Sequence, residues 1–112
     1  MARFLALYGA PVGAMDAAMQ NTSQEERDAS MEAWNKWMQA KGSAIVSMGA
    51  PVGKNKRVSE SGVEDVRNEV GGYSIVEADT HEEAAELFTD NPMLEMKGAY
   101  VDVLAIMPMP GG

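Results

Sequence analysis

The amino-acid sequence predicts a single α+β domain in the order strand, helix, strand, strand, helix, strand, with its strands in one four-stranded antiparallel sheet. Three observations carry this. Short apolar runs at residues 4–8 and 44–48 each end in the same glycine- and proline-rich turn sequence, Gly-Ala-Pro-Val-Gly. Polar stretches open on capping boxes, where a hydroxyl and a carboxylate three residues apart satisfy orphan backbone amides. The strand runs are apolar at consecutive positions, which asks for burial of both sheet faces.

The first strand spans residues 2–8 and stops at Gly9-Ala10-Pro11-Val12-Gly13. Residues 14–20 are rich in Ala and Met and suit a helical turn or two. A firm helix start follows, with Thr22 and Glu25, and Ser23 and Glu26, at capping-box spacing. Met31, Trp34 and Met38 then fall on one face with Trp37 beside them. Lys41-Gly42 closes the helix with a cation in its last turn and a glycine able to take positive φ. The second strand covers residues 43–48 and ends in the second copy of the turn, residues 49–53. A long polar stretch, residues 54–69, holds a short extended piece at 57–59. Gly71-Gly72 leads into the third strand at 73–78. The second helix begins at Thr80 with Glu83, buries Ala84, Leu87 and Phe88, and stops near Asn91-Pro92, since proline cannot continue it. The last strand runs over residues 100–107, and 108–112 form a tail that cannot pair along its length.

Two helices cover only one face of a four-stranded sheet. The runs Phe4-Leu5-Ala6-Leu7, Ala44-Ile45-Val46 and Val103-Leu104-Ala105-Ile106-Met107 leave the other face apolar as well. The same face of a second copy is the simplest cover, which predicts a homodimer. With strands one and three taken as parallel and strand two antiparallel to three, the two Gly-Ala-Pro-Val-Gly copies lie at opposite ends of the sheet. Each then serves as local turn chemistry only. Neither copy has the glycine spacing or lysine of a phosphate loop.

Composition narrows the function classes. At 112 residues there is room for one domain, residues 1–112, with no second core. The chain has no cysteine, hence no disulfide framework, thiolate nucleophile or Cys-ligated zinc. No apolar run approaches a membrane span or a signal-peptide core, and a cytoplasmic home is expected. The formal net charge of −8 disfavours nucleic acid and anionic lipid, despite the small basic cluster Lys54, Lys56 and Arg57. No cofactor fingerprint or metal-ligand set stands out. The ten methionines lack supporting Cys or His and suit adaptable core packing.

Among residues able to carry chemistry, Asp102 is the candidate catalytic group. It lies within the last strand between Val101 and Val103, where a carboxylate is solvated at an edge, paired or functional. If it faces a dimer cavity with Tyr100, then Arg3, Tyr8, Tyr73 and Glu77 are the partners available on the other strands, and Tyr8, Tyr73, Tyr100 and Arg3 are the candidate ligand-binding residues. His81, the one histidine, opens the second helix beside Glu82 and Glu83 and is expected at the exposed surface.

Several segments together resemble the YCII-related family, including its DGPF-type branch. These are Arg3-Phe4-Leu5-Ala6-Leu7-Tyr8, Met31-Glu32-Ala33-Trp34-Asn35-Lys36-Trp37, Glu69-Val70-Gly71-Gly72-Tyr73-Ser74-Ile75-Val76, Ala78-Asp79-Thr80-His81-Glu82-Glu83-Ala84 and Gly98-Ala99-Tyr100-Val101-Asp102-Val103. The resemblance covers nearly the whole chain. It implies a dimeric α/β barrel, two ferredoxin-like sheets facing each other with helices outside, and a small-molecule site at the sheet and dimer cavity. A His/Asp pair is proposed as catalytic in some members, and one branch holds a dehydrochlorinase. Here the Asp-Gly-Pro-Phe signature is absent near Gly62-Val63, and neither the first strand and helix nor Asn91-Pro92-Met93-Leu94 holds a histidine. Only the acidic position, Asp102, carries over.

Two functions follow. The first is a dimeric module binding a small molecule or a partner, with residues 54–69 as its variable element. The alternative is a small-molecule enzyme of lyase, isomerase or dehydratase type, with Asp102 moving a proton in a cavity lined by Tyr8, Tyr73 and Tyr100.

Overall fold

The computed structural model describes residues 1–108, and of Ala18 and Met19 the backbone alone. The elements are β1 (Ala2–Gly9), α1 (Val12–Asn21), α2 (Gln24–Lys41), β2 (Ile45–Ser47), β3 (Asn55–Ser59), β4 (Gly62–Val66), β5 (Val70–Ala78), α3 (His81–Glu86) and β6 (Tyr100–Ala105). Single 3₁₀ turns occupy Gly42–Ala44 and Pro92–Glu95. The main sheet has the order β2-β5-β1-β6 and is antiparallel throughout, the expected four-stranded ferredoxin-like arrangement.

Helix ends form where side chains can replace missing backbone partners. The Ser23 hydroxyl accepts from the Glu26 amide at 3.1 Å, and the Thr80 hydroxyl from the Glu83 amide at 3.1 Å. At the far end of α2, Gly42 takes φ 54° and returns its amide to the Met38 carbonyl. The region Lys54 to Glu69 departs from expectation. It is a two-stranded arm, β3 paired with β4 in register from Asn55 with Val66 to Ser59 with Gly62. Its polar composition hid a period-2 pairing that depends on cross-strand partners, such as Lys56 with Asp65. A separate α1 also replaces the expected turn or two.

The core lies between the sheet and α2/α3. Phe4, Ala6 and Tyr8 of β1 share a face with Ser74, Val76 and Ala78 of β5, because these residues stand opposite one another or two positions apart. Trp37 and Phe88 cover them with ring centroids 5.3 Å apart, and Tyr8 meets Trp34 edge-on at 5.2 Å. Met31, expected on the packed face, is 66% exposed, since α2 turns its Trp34/Trp37 side inward beyond that point. The Trp37 indole donates to the Leu87 carbonyl at 3.1 Å and to Asp90 at 3.2 Å.

Asp90 also receives Lys41, whose ammonium lies 3.0 Å away and holds the carboxyl below its ordinary 3.8. A depressed folded pKa means that the stabilisation is complete above pH 3.8 and is lost as pH falls through the folded value. The stability gap between wild type and Lys41→Met should therefore narrow as acid urea titrations descend below that pH. A constant gap would show that Lys41 acts by packing alone.

Candidate functional site

The strand directions bring the two Gly-Ala-Pro-Val-Gly turns together, contrary to the expectation that they lie at opposite ends. Both β1 and β2 are antiparallel to β5, so they are parallel to each other and finish at the same end of the sheet. The start of β5 threads between the two turns. The Ala10 amide donates to the Glu69 carbonyl (3.0 Å), the Tyr73 amide to Ala50 (3.2 Å) and the Val52 amide to Gly71 (3.1 Å). A parallel pairing of strands one and three would have needed a crossover. The α2 link instead makes strands one and two parallel, and the arm returns the chain in the opposite sense.

On the sheet face away from the helices, Leu7 stands opposite Tyr73 of β5 on one side and Asp102 of β6 on the other. With strands spaced about 4.8 Å apart, the Tyr73 and Asp102 backbones sit on the order of 10 Å apart across Leu7. Tyr100 adjoins this row. Its ring covers Gly9, where an added Cβ would lie 2.6 Å from the ring, and its hydroxyl donates to Glu69 at 2.5 Å. Glu69 raises the Tyr100 phenol above 10.0, chiefly by accepting that hydrogen bond, and Asp102 adds a smaller push. The next row is apolar: Leu5 stands between Ile75 and Leu104, the latter 43% exposed.

Two predicted ligand residues lie elsewhere. Tyr8 belongs to the helix-side core, 6% exposed, where its hydroxyl meets the Ser74 hydroxyl at 2.8 Å and burial pushes its phenol above 10.0. Ser74 in turn donates to the Met48 carbonyl at 2.9 Å. One-residue alternation sets Tyr8 and Leu7 on opposite faces. Arg3 is on the open face but at the far end of β1, paired with Glu77 at 3.3 Å. The register thus sets Tyr73, Tyr100 and Asp102 on one sheet face, and the Tyr100 hydroxyl adds Glu69, which no sequence spacing singled out.

His81 is exposed, as expected, yet it has a fixed place. Its Nε2 donates to the Val103 carbonyl of β6 at 2.6 Å, and its ring stacks on Phe4 with centroids 5.1 Å apart. It ties α3 to the sheet edge, away from Tyr100 and Glu69. Among the described residues, no group of three or more His, Cys, Asp or Glu side chains could hold a metal ion. No helix there is long and apolar enough to cross a membrane.

A concavity of about 800 Å³ lies between α1, the second Gly-Ala-Pro-Val-Gly turn and the foot of the β3–β4 arm. Arg67 at that foot grips Asp16 of α1 with two hydrogen bonds, 2.9 and 3.1 Å. Each group shifts the other's pKa away from neutrality, Asp16 downward and Arg67 upward.

Comparison with known proteins bears on the fold and the family. A family model described as the YCII-related domain matches residues 13–110. No curated protein matches the chain. Among solved structures, 5-chloro-2-hydroxyhydroquinone dehydrochlorinase from Burkholderia phenoliruptrix, in complex with 2,5-dihydroxybenzoquinone, superposes with a TM-score of 0.50 at 15% identity. That match covers 89% of this chain and 90% of the dehydrochlorinase chain. At this identity the likeness is one of fold.

Proposed function

This chain belongs to the YCII-related family, and from that premise we propose that it is a dimeric small-molecule-binding protein whose ligand lies on the open sheet face beside Tyr73, Tyr100 and Asp102. The observation that carries this reading is the make-up of that face. An apolar floor of Leu5, Leu7, Ile75 and Leu104 meets a polar end formed by two phenols and two carboxylates, Asp102 and Glu69. A second copy set on the apolar floor would leave the polar end lining a cavity between the subunits. The row from Tyr73 across Leu7 to Asp102 suits the face of a planar ring carrying hydroxyl or carbonyl groups, with the Tyr73 phenol as donor and the Tyr100 proton held by Glu69.

A catalytic version of the same site has one observation in its favour, the Tyr100–Glu69 hydrogen bond next to Asp102, which supplies an acid and a base within one constellation. In that reading the protein is a lyase, isomerase or dehydratase with Asp102 as the proton carrier.

The test uses 2,5-dihydroxybenzoquinone, the compound bound to the structural neighbour, as the probe. Titration into the isotope-labelled full chain is expected to shift the backbone amides of Leu7, Tyr73 and Asp102. Asp102→Asn should alter its affinity at least threefold while the folded spectrum persists. No shift on the open face at millimolar probe, with this and related hydroxyaromatic acids, would remove the support for a site there.

A further inference from the structure

The cleft at the foot of the β3–β4 arm shares no lining residue with Glu69, Tyr73, Tyr100 and Asp102 and has the opposite electrostatic character. Its walls carry Lys54, Lys56 and Arg67 against Asp16 and Asp65, an excess of one positive charge in a chain of net charge −8. Two of those cations are matched: Arg67 by Asp16 at 2.9 Å, and Lys56 by Asp65 at 2.5 Å. Lys54 is the excess. Among the described residues it has no carboxylate partner.

Lys54 is also the one described non-glycine residue with positive φ, 46°. Side chains other than glycine, asparagine and aspartate rarely take this conformation, and outliers of this kind gather at ligand sites. The strain is placed where the second Gly-Ala-Pro-Val-Gly turn hands over to the arm, at a residue that lines the cleft. Beside it, Gly53 has no heavy atom within 4 Å of an added Cβ, and the cleft is open there. Arg67 uses Nη1 and Nη2 on Asp16, which leaves its Nε–H and two further N–H groups unspent by that pair. Met15, Val52, Val66 and Val70 give the cleft an apolar wall, with Asn55 and Asn68 as uncharged polar lining beside it.

We propose that this cleft binds a small organic carboxylate, its charged end on the Lys54 ammonium with Arg67 in support, and its apolar body against Met15, Val52 and Val70. The excess of one charge matches a monoanion, and the apolar wall rewards a hydrocarbon or aromatic body that a bare inorganic anion lacks. The turn that sequence reading assigned to local chain reversal thereby becomes one wall of a site.

Benzoate serves as the probe, with benzamide as its uncharged counterpart and inorganic phosphate as an anion without an apolar body. In NMR titrations of the full chain, benzoate is expected to shift amides at residues 52–55 and 67–71, and benzamide to bind at least tenfold more weakly. Lys54→Met and Lys54→Gly should each weaken benzoate at least tenfold. Glycine accepts this backbone angle freely, so the second variant keeps the test valid if the first folds poorly. Benzoate affinity unchanged in Lys54→Gly would overturn the proposal. So would phosphate binding as tightly as benzoate, or benzoate shifts confined to the open sheet face.

Discussion

Replacing Trp37 by alanine is expected to cost about 3–5 kcal/mol, the range for deleting a large buried aromatic. The residue is 4% exposed and joins Trp34 and Phe88 into the ring cluster that seals α2 and α3 over the sheet. Its indole N–H also bridges the Leu87 carbonyl and Asp90, so the substitution removes an α2-to-α3 tether as well as volume. For a domain of this size, stability near 0.1 kcal/mol per residue leaves about 11 kcal/mol in total, of which this change removes a third or so. The melting temperature should fall by roughly 12–20 °C, at about 4 °C per kcal/mol. Trp37→Phe separates the two contributions. It keeps most of the ring burial and loses the hydrogen bond, at about 1–1.5 kcal/mol for that part. A fall of less than 5 °C for Trp37→Ala, measured by calorimetry, would show that the ring cluster is not the main seal.

The second large effect is expected from Gly49→Ala. An added Cβ would lie 2.0 Å from the Tyr73 carbonyl oxygen, a backbone atom that cannot step aside without moving β5. The residue also holds φ 66°, where an L side chain is strained. Together the overpacking and the backbone strain should cost about 2–4 kcal/mol. The cost should be local in character. Pairing of β2 with β5 rests on a short register, Ile45 with Val76 and Ser47 with Ile75. Hydrogen exchange is therefore expected to rise first at the Tyr73 and Val52 amides, both of which bridge β5 and the second turn. Protection at these amides equal to wild type would contradict the close approach.

Much of the fold was legible because its signals are local. Ser23 with Glu26 and Thr80 with Glu83 mark helix starts whatever the tertiary context, and both caps form. Lys41-Gly42 closes α2 for the same reason. The arm was not legible, since Lys56 and Asp65 lie nine positions apart and their pairing becomes visible only once the chain turns between them. The site was half legible. Period-2 logic correctly marks Tyr73, Tyr100 and Asp102 as strand residues, but assigning each to a face requires the cross-strand register. Tyr8 illustrates this: one position from Leu7, it belongs to the core. Glu69 was missed because its role comes from the bend at the start of β5, where its side chain meets Tyr100 across 31 positions of sequence. The two Gly-Ala-Pro-Val-Gly turns are legible as turns, but their convergence around the start of β5 depends on β1 and β2 both running antiparallel to β5, which no local signal carries.

The central claim is that the open sheet face is covered by a second copy, with the polar end beside Asp102 left as a cavity. Sedimentation equilibrium of wild type and Leu7→Glu tests it most directly, because Leu7 sits at the middle of that face and away from the helix-side core. Wild type is expected at twice the 12.0 kDa chain mass, and Leu7→Glu at 12.0 kDa with its helical circular dichroism intact. Wild type at 12.0 kDa across micromolar to sub-millimolar concentration would contradict the account. A Leu7→Glu variant that remains a folded dimer would contradict it equally.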